Sequence, residues 1–267
     1  MAPVDSASGP RIVVLAGPGD STNIVVHYLA ARYGDVVVVQ ERPQSRWTLA
    51  RRRARRLGWV TVTGQVLFVA VVMPVLRRRG RARIASVLAE SQLDPSPVGA
   101  VRSVSSVNAP EAAALLGSLH PDVVVVNGTR IIGAATLNAI ACPVVNVHAG
   151  ITPRYRGVHG GYWALAEGRP DLVGTTVHLV DTGIDTGRVL DRGFFHPGPA
   201  DSIATYPYLH LACGLPLLAG VVDRLIGTDA ASPGQAGTGE AEPGESTLRW
   251  HPTVWGYVWR RMRRGVR

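Results

Sequence analysis

Runs of apolar residues alternate with segments of helical periodicity along most of the chain. Four of the apolar runs are continuous, at residues 11–17, 36–40, 122–128 and 142–149. Continuous Val-rich runs of this length are typical of strands that are buried on both faces of a parallel sheet. Helical patterns follow the first, second and fourth of these runs, at residues 23–32, 109–119 and 160–167. The sequence therefore predicts an α/β fold with an open, mostly parallel, Rossmann-like sheet.

The alternation continues into the second half of the chain. Further strands are predicted at 174–180 and 188–195, on either side of the loop DTGIDTG at 181–187, and a short one at VRSV, 101–104. A helix is predicted over 201–226, although this segment contains two prolines.

Residues 44–92 interrupt the alternation with an arginine-rich insertion that is predicted to be helical. Its centre, LGWVTVTGQVLFVAVVMPVL at 57–76, has the length of a membrane-spanning helix, and RRRARR and RRRGRAR flank it. Polar residues within it weigh against a span, and arginines on both flanks define no orientation. Three interpretations stay open: a helical insertion at the substrate pocket or a dimer contact, a hairpin on an anionic membrane surface, and a true span.

Composition changes from residue 228 onward. The Gly/Ala/Pro/Glu-rich stretch 228–246 predicts a flexible linker, and 247–267 predicts a short tail that is basic and contains three Trp. Residues 1–227, including the insertion at 44–92, are predicted to form one catalytic domain.

The net charge of +9 comes from an excess of arginines that is concentrated in three clusters. All 28 basic residues are arginines, which excludes a catalytic lysine from this sequence. Each cluster holds five arginines and no acidic residue; the clusters lie at 51–56, 77–83 and 260–267. The rest of the chain has 13 arginines and 19 acidic residues, so it carries a negative net charge. Two cysteines and an N-terminus without a signal-peptide pattern predict a cytoplasmic protein, with peripheral contact at the inner face of the membrane as an option.

The apolar strand at 142–149 carries two polar residues, Asn146 and His148. Alternate side chains of a strand point to the same face, so these two side chains are expected to converge. In open α/β sheets, ligands bind beyond the carboxyl ends of the strands. The pair therefore predicts a functional site at that edge of the sheet.

The segments NVHAGITPRYRG and GTTVHLVDTGIDTG resemble the folate-dependent formyltransferase superfamily, which includes glycinamide ribonucleotide transformylase, methionyl-tRNA formyltransferase and sugar N-formyltransferases. The family pattern is Asn-x-His at a strand end, a Pro-x-x-x-Gly loop and a later Asp. These positions fall on Asn146, His148, Pro153, Gly157 and Asp185. The likeness is close over about 120–195 and loose over 11–32. It implies 10-formyltetrahydrofolate as the formyl donor.

The resemblance implies roles for three residues. Asn146 would stabilise the oxyanion, His148 would carry out acid–base catalysis, and Asp185 would organise His148 and a water molecule. A histidine suits these proton transfers because its ordinary pKa is about 6.5. Two alternatives remain: a packing histidine, and a metal site formed by His148, His159 and Asp185. The second lacks the usual ligand spacing, and we predict no metal.

The resemblance also implies binding residues for the folate pterin. It assigns them to the NGTRII segment and the loop at 181–187, namely Asn127, Arg130, Ile131, Asp181 and Gly183. An ordinary strand-to-helix turn is the alternative interpretation of NGTRII.

Acceptor binding is predicted at two places. The turn PGDSTN precedes a helix, so Ser21, Thr22 and Asn23 are candidates for holding a phosphate at the helix N-terminus; a capped helix without a ligand is the alternative. His159 follows the Pro-x-x-x-Gly loop and is a further candidate for contact with substrate. His178 is interpreted as structural.

We expect the acceptor to be a small-molecule amine, in the first place an amino sugar or sugar nucleotide. Glycinamide ribonucleotide is the alternative, and a nucleic-acid partner is not expected because no substantial tRNA-binding region follows residue 227. A membrane-associated relative that is non-catalytic or hydrolyses the formyl donor is a second class of function. The oligomeric state is left open.

Overall fold

The computed structural model describes residues 9–227 and 245–267. Most of the predicted linker at 228–246 lies outside these described residues. Seven strands form one sheet in the order β3-β2-β1-β4-β5-β7-β8. The strands are β1 (Ile12–Ala16), β2 (Val36–Glu41), β3 (Arg102–Val104), β4 (Val123–Asn127), β5 (Val144–His148), β7 (Gly174–Leu179) and β8 (Val189–Phe194).

Strands β1 to β5 are parallel, whereas β7 is antiparallel to β5 and β8 is antiparallel to β7. The predicted open, mostly parallel sheet is thereby confirmed. Two short strands that were not predicted, β6 (Tyr155–Gly157) and β9 (Thr247–Arg249), form a separate parallel pair.

Ten α-helices lie among the described residues. They are α1 (Asp20–Tyr33), α2 (Arg46–Leu57), α3 (Trp59–Leu67), α4 (Met73–Arg79), α5 (Arg81–Glu90), α6 (Pro110–Leu119), α7 (Ala134–Asn138), α8 (Gly160–Ala166), α9 (Tyr206–Ile226) and α10 (Val254–Arg264). A π-helical stretch, Phe68–Val72, joins α3 to α4. Trp59–Arg79 is thus one continuous helix of 21 residues.

The alternating residues of β1 explain why its sequence is apolar throughout. Ile12, Val14 and Ala16 pack in one cluster with apolar residues of α1 and α9, including Leu29 and Leu218. The intervening Val13 and Leu15 pack in a second cluster with residues of α6. Because helices cover both faces, no position of this strand can be polar without losing apolar burial.

Two predicted helices begin at other residues than expected. The first begins at Asp20 rather than 23, so Ser21 and Thr22 belong to its first turn. The last long helix begins at Tyr206 rather than 201, because Asp201 forms a turn in which its carboxylate accepts from the backbone N–H of Gly198 and the hydroxyl of Thr205.

The insertion at 44–92 is helical, as predicted, and packs against the C-terminal segment. Phe68 and Met73 share a buried cluster with Tyr257 and Val266, and the rings of Phe68 and Tyr257 lie 5.2 Å apart. Two helices, Trp59–Arg79 and Tyr206–Ile226, are long and apolar enough to cross a membrane by length and composition. The second packs against the sheet in the main core.

Candidate active site

Four polar side chains meet where β5 and β7 run side by side. Asn146 and His148 lie on β5, and the antiparallel register places His178 of β7 opposite Asn146. Asp185 comes from the loop that follows β7, and its carboxylate lies 3.4 Å from His148 Nδ1 and 3.7 Å from His178 Nε2. The structure thus brings together the three residues that the sequence predicts as catalytic, and adds His178.

His148 is buried, with both ring nitrogens facing oxygen atoms. Its Nε2 donates a hydrogen bond to the Tyr155 carbonyl at 2.7 Å, and its Nδ1 faces Asp185. Burial lowers the pKa of His148 below its ordinary value, although the Asp185 carboxylate opposes this effect. Since Nε2 holds the hydrogen of the neutral ring, Nδ1 is the nitrogen that can take up a proton.

His178 fixes the orientation of the Asn146 amide. Its Nδ1 donates to the Leu179 carbonyl at 2.7 Å, so Nε2 of the neutral ring is an acceptor. Nδ2 of Asn146 lies 3.1 Å from that nitrogen and donates to it. One amide N–H of Asn146 is used in this way, and the second can donate to a ligand. The sequence interpretation of His178 as structural missed this contact, because the pairing of β7 with β5 is not visible in a single sequence.

Asp185 is held in a left-handed backbone conformation, with φ of 51°, and its Oδ2 accepts from the Gly157 backbone N–H at 2.8 Å. Burial alone would raise the pKa of this carboxyl. The contacts with His178 and His148 and the Gly157 N–H outweigh burial and lower the pKa below its usual range. The residue is therefore an anion at neutral pH, placed between two imidazoles.

Gly157 couples the site to the C-terminal segment. Its φ is 91°, and a Cβ there would collide with the Arg249 carbonyl of β9. Strand β9 therefore pairs with the same backbone segment, β6, whose Gly157 N–H holds Asp185. The glycine of the Pro-x-x-x-Gly loop serves both a left-handed turn and this close approach.

A cavity of about 780 Å³ lies over these side chains. Asn146, His148, His178 and Asp185 line it, and α2 and β9 form part of its wall. This volume is in the range of small-molecule and cofactor sites. Five arginines line the cavity against two aspartates, which favours an anionic ligand. The lining arginines are Arg52, Arg53, Arg56, Arg130 and Arg249.

Four of the five residues predicted to contact the pterin line the cavity, namely Arg130, Ile131, Asp181 and Gly183. The Ile131 side chain is half exposed. The guanidinium of Arg130 instead bonds to the Arg42 carbonyl and pairs with the buried Glu41, so its side chain supports the loop. Asn127 is not among the lining residues; its amide donates to the hydroxyls of Ser21 and Thr22.

The residues predicted to hold the acceptor lie outside the cavity lining and have protein partners. The Thr22 hydroxyl donates to the Gly17 carbonyl, and the Asn23 amide donates to the Pro95 carbonyl. Nε2 of His159 lies 2.9 Å from Nδ1 of His251 in the C-terminal segment. Acceptor binding by Ser21, Thr22, Asn23 or His159 stays a prediction.

Metal ligation is a separate question. Within residues 9–227 and 245–267, no three His, Cys, Asp or Glu side chains form a group that could hold a metal ion.

Comparison with known proteins shows which protein family the chain belongs to. Residues 11–205 match the family described as Formyl transferase. The chain belongs to this family.

Among curated relatives, the methionyl-tRNA formyltransferase of Geobacter metallireducens is 32% identical over 171 residues, covering 60% of this chain and 52% of that protein. The corresponding protein of Desulfotalea psychrophila is 32% identical over 143 residues, covering 51% and 42%. The chain thus spans about half the length of these relatives.

Solved structures show the same fold at lower identity. Phosphoribosylglycinamide formyltransferase from Streptococcus pneumoniae has a TM-score of 0.50 and 22% identity, over 81% of this chain and 98% of that one. The enzyme from Bacillus halodurans has a TM-score of 0.51 and 18% identity, over 84% and 100%.

Proposed function

We propose that this chain is an N-formyltransferase that moves a formyl group from 10-formyltetrahydrofolate to the amine of a small anionic molecule, in the first place an amino sugar or sugar nucleotide. The observation that carries the proposal is the convergence of Asn146, His148 and Asp185 at the cavity. Membership of the Formyl transferase family supports it.

The residue types suit the chemistry of formyl transfer. Formation of the new C–N bond develops negative charge on the formyl oxygen, and the free amide N–H of Asn146 can donate to it. One such donor contributes about 3–4 kcal/mol to transition-state stabilisation in acyl transfer. The incoming amine loses one proton, and the departing nitrogen gains one.

The proton is handled by the histidine–aspartate pair. Neutral His148 can accept it at Nδ1, and the anionic Asp185 at 3.4 Å stabilises the imidazolium that results. The same nitrogen can then return the proton to the leaving group. No covalent enzyme intermediate is needed, which agrees with a sequence that has no lysine.

The cavity fits a folate donor, which supplies the formyl group when bound. Val126, Ile132 and Val180 line it together with the exposed part of Ile131, and apolar side chains of this kind suit a flat ring. The loop of Asp181 and Gly183 lines the same cavity and offers backbone groups. We assign the pterin to this part of the cavity.

The arginines of α2 support an acceptor that bears phosphate. Arg52 and Arg56 line the cavity, are exposed, and form no ion pair among the described residues. Arg53 lies over the Trp250 ring at 5.6 Å, so the indole supports its position in the wall. Arginine is well suited to phosphate because its planar guanidinium donates in pairs.

A donor-release assay tests the function. Purified protein is incubated with 10-formyltetrahydrofolate and, separately, a panel of amino-sugar nucleotides, glycinamide ribonucleotide and methionyl-tRNA. We expect tetrahydrofolate and a formamide to form in equal amounts with one of the amino-sugar nucleotides. Preference for glycinamide ribonucleotide or methionyl-tRNA would replace the proposed acceptor, and tetrahydrofolate release without an amine would indicate a hydrolase.

Three substitutions test the proposed catalytic residues. We expect His148→Ala and Asp185→Asn to abolish transfer while leaving folate binding intact, as measured by fluorescence titration. Asn146→Ala should lower kcat by about a hundredfold to a thousandfold, since one oxyanion donor is lost. Near-normal turnover in the His148 and Asp185 variants would discard the assignment.

A further inference from the structure

Two parts of the chain expose large apolar side chains to an unusual degree. Twelve of the fifteen exposed large hydrophobic residues found in the described chain lie in the insertion and in α10. They are Trp47, Trp59, Val60, Val66, Leu67, Val69, Val71 and Val75 in the insertion, and Trp255, Val258, Trp259 and Met262 in α10. Single exposed hydrophobic residues are ordinary, but a concentration of this size marks a surface that contacts something apolar.

The helices that carry these residues contact one another, and we call the twelve exposed side chains together the apolar face. The helix Trp59–Arg79 and α10 lie against each other, because the Trp255 ring occupies the space that a side chain at Gly64 would need. Each helix buries its other side, where Phe68 of the first and Tyr257 of the second share the core cluster. On α10 the exposed apolar positions are spaced i, i+3, i+4 and i+7, as in a helix that lies on an interface.

The helix Trp59–Arg79 lies on the domain and does not stand apart from it. Val62 and Phe68 are buried, and the Gln65 amide donates to the His251 carbonyl at 3.0 Å. A spanning orientation would break these contacts and place the Gln65 amide in hydrocarbon. The geometry therefore favours contact with a membrane surface over insertion across it.

The positive charge around the apolar face indicates which kind of partner binds there. Residues 42–89 and 247–267 contain eighteen of the 28 arginines and no acidic residue. Arg77, Arg78 and Arg79, at the end of the first helix, are exposed and form no ion pair among the described residues. A second copy of this chain would bring two strongly positive surfaces together, whereas anionic lipid headgroups complement them.

We propose that the apolar face docks on an anionic bilayer surface, with Trp and Val side chains at the acyl boundary and the arginines on the headgroups. Helix α2 carries the exposed Trp47, whose ring lies 6.1 Å from that of Trp59, and also lines the active-site cavity. Docking therefore holds the cavity wall close to the membrane surface. The proposal does not depend on formyl transfer.

Vesicle co-sedimentation tests the proposal with the full-length protein. We expect binding to vesicles of phosphatidylglycerol and phosphatidylcholine in equal parts, and little binding to phosphatidylcholine alone. Binding should fall in 1 M salt, where the Debye length is about 3 Å, and Trp emission should shift to shorter wavelength on binding. Equal binding to both vesicle types, or to neither, would overturn the proposal.

Matched variants locate the contact. Val60 and Met262 are the most exposed apolar residues of the two helices, at 76% and 75%, so V60E and M262E can be made without opening the core. We expect either to weaken vesicle binding at least tenfold. Replacing Arg78, Arg79 and Arg263 by Gln should weaken it on the order of a hundredfold, at about fivefold per arginine.

The control variants carry the same types of substitution elsewhere, one valine to glutamate and one arginine to glutamine. Val101 is an exposed valine and Arg102 an exposed arginine, both outside the apolar face. V101E and R102Q should leave vesicle binding unchanged, and thermal unfolding checks that all variants fold. Equal loss in control and test variants would overturn the proposal. So would a wild-type dimer in light scattering that V60E and M262E dissociate, because a second copy would then occupy the face.

Discussion

His178 contacts two of the three predicted catalytic residues. Its Nε2 accepts from the Asn146 amide and lies 3.7 Å from the Asp185 carboxylate, so it orients one predicted catalytic residue and packs beside the other. It is not placed against the reacting atoms in our proposal. Its effect is therefore one of positioning.

Substitution of His178 tests this role. We expect His178→Ala to lower kcat by about tenfold to a hundredfold, the range of one hydrogen bond to a charged or catalytic group, with little change in the KM for the folate donor. His178→Gln should retain more activity, because its amide oxygen can accept from Asn146. Equal losses in both variants, or a change confined to KM, would contradict a positioning role.

The pH dependence of the reaction follows from His148 and Asp185. In the proposed mechanism, transfer requires neutral His148 and anionic Asp185, and the pKa of each is below its ordinary value. We therefore expect the acid limb of kcat/KM to fall below pH 6.5, the ordinary histidine value. In His178→Ala the limb should move to higher pH, because loss of the neighbouring ring reduces the burial that lowers the pKa of His148. A limb above pH 6.5 in the wild type would contradict the prediction.

At the scale of single elements, α2 is the part of the insertion that enters the cavity wall. We expect Arg52→Gln with Arg56→Gln to raise the KM for a phosphate-bearing acceptor about tenfold or more, since each charged hydrogen bond contributes about 1.5–3 kcal/mol. The KM for the folate donor should stay within about twofold.

The matched control for α2 is Arg55→Gln with Arg51→Gln, which changes the same charge on the same helix at exposed positions outside the cavity lining. Steady-state kinetics with each substrate varied in turn separate the two effects. A rise in the donor KM instead would assign the α2 arginines to the folate carboxylates.

At the scale of the whole molecule, we expect three histidines to make the fold sensitive to acid: His210, which is buried, and His159 and His251, which are partly buried. Burial lowers the pKa of His159 and His210 to about 3 and that of His251 to about 4. Above about pH 6.5 these groups are neutral in both the folded and the unfolded chain, so they add no pH dependence. Below that pH the unfolded chain binds protons first, and the free energy of unfolding decreases until the folded-state pKa values are reached.

Urea unfolding between pH 7 and pH 4 measures this effect. We expect the free energy of unfolding to fall by up to about 1.4 kcal/mol per pH unit for each of the three groups. His251→Asn should flatten the dependence, because it removes one of the groups. The control His120→Asn changes an exposed histidine in a left-handed turn that Asn tolerates, and should leave the slope unchanged. A flat profile in the wild type would contradict the prediction.

The sequence by itself determined the strand runs and the convergence of Asn146 with His148, because both follow from local periodicity and from the rule that binding sites lie at the carboxyl ends of strands. It also located Asp185, through the resemblance to a family pattern in which an Asp follows the Asn-x-His pair in a later Gly-containing loop. The tertiary structure alone decided the role of His178, the pairing of β9 over Gly157 and the entry of α2 into the cavity. Each of these depends on strand register or on contacts between segments distant in the chain, and a single sequence carries no local signal for such pairings.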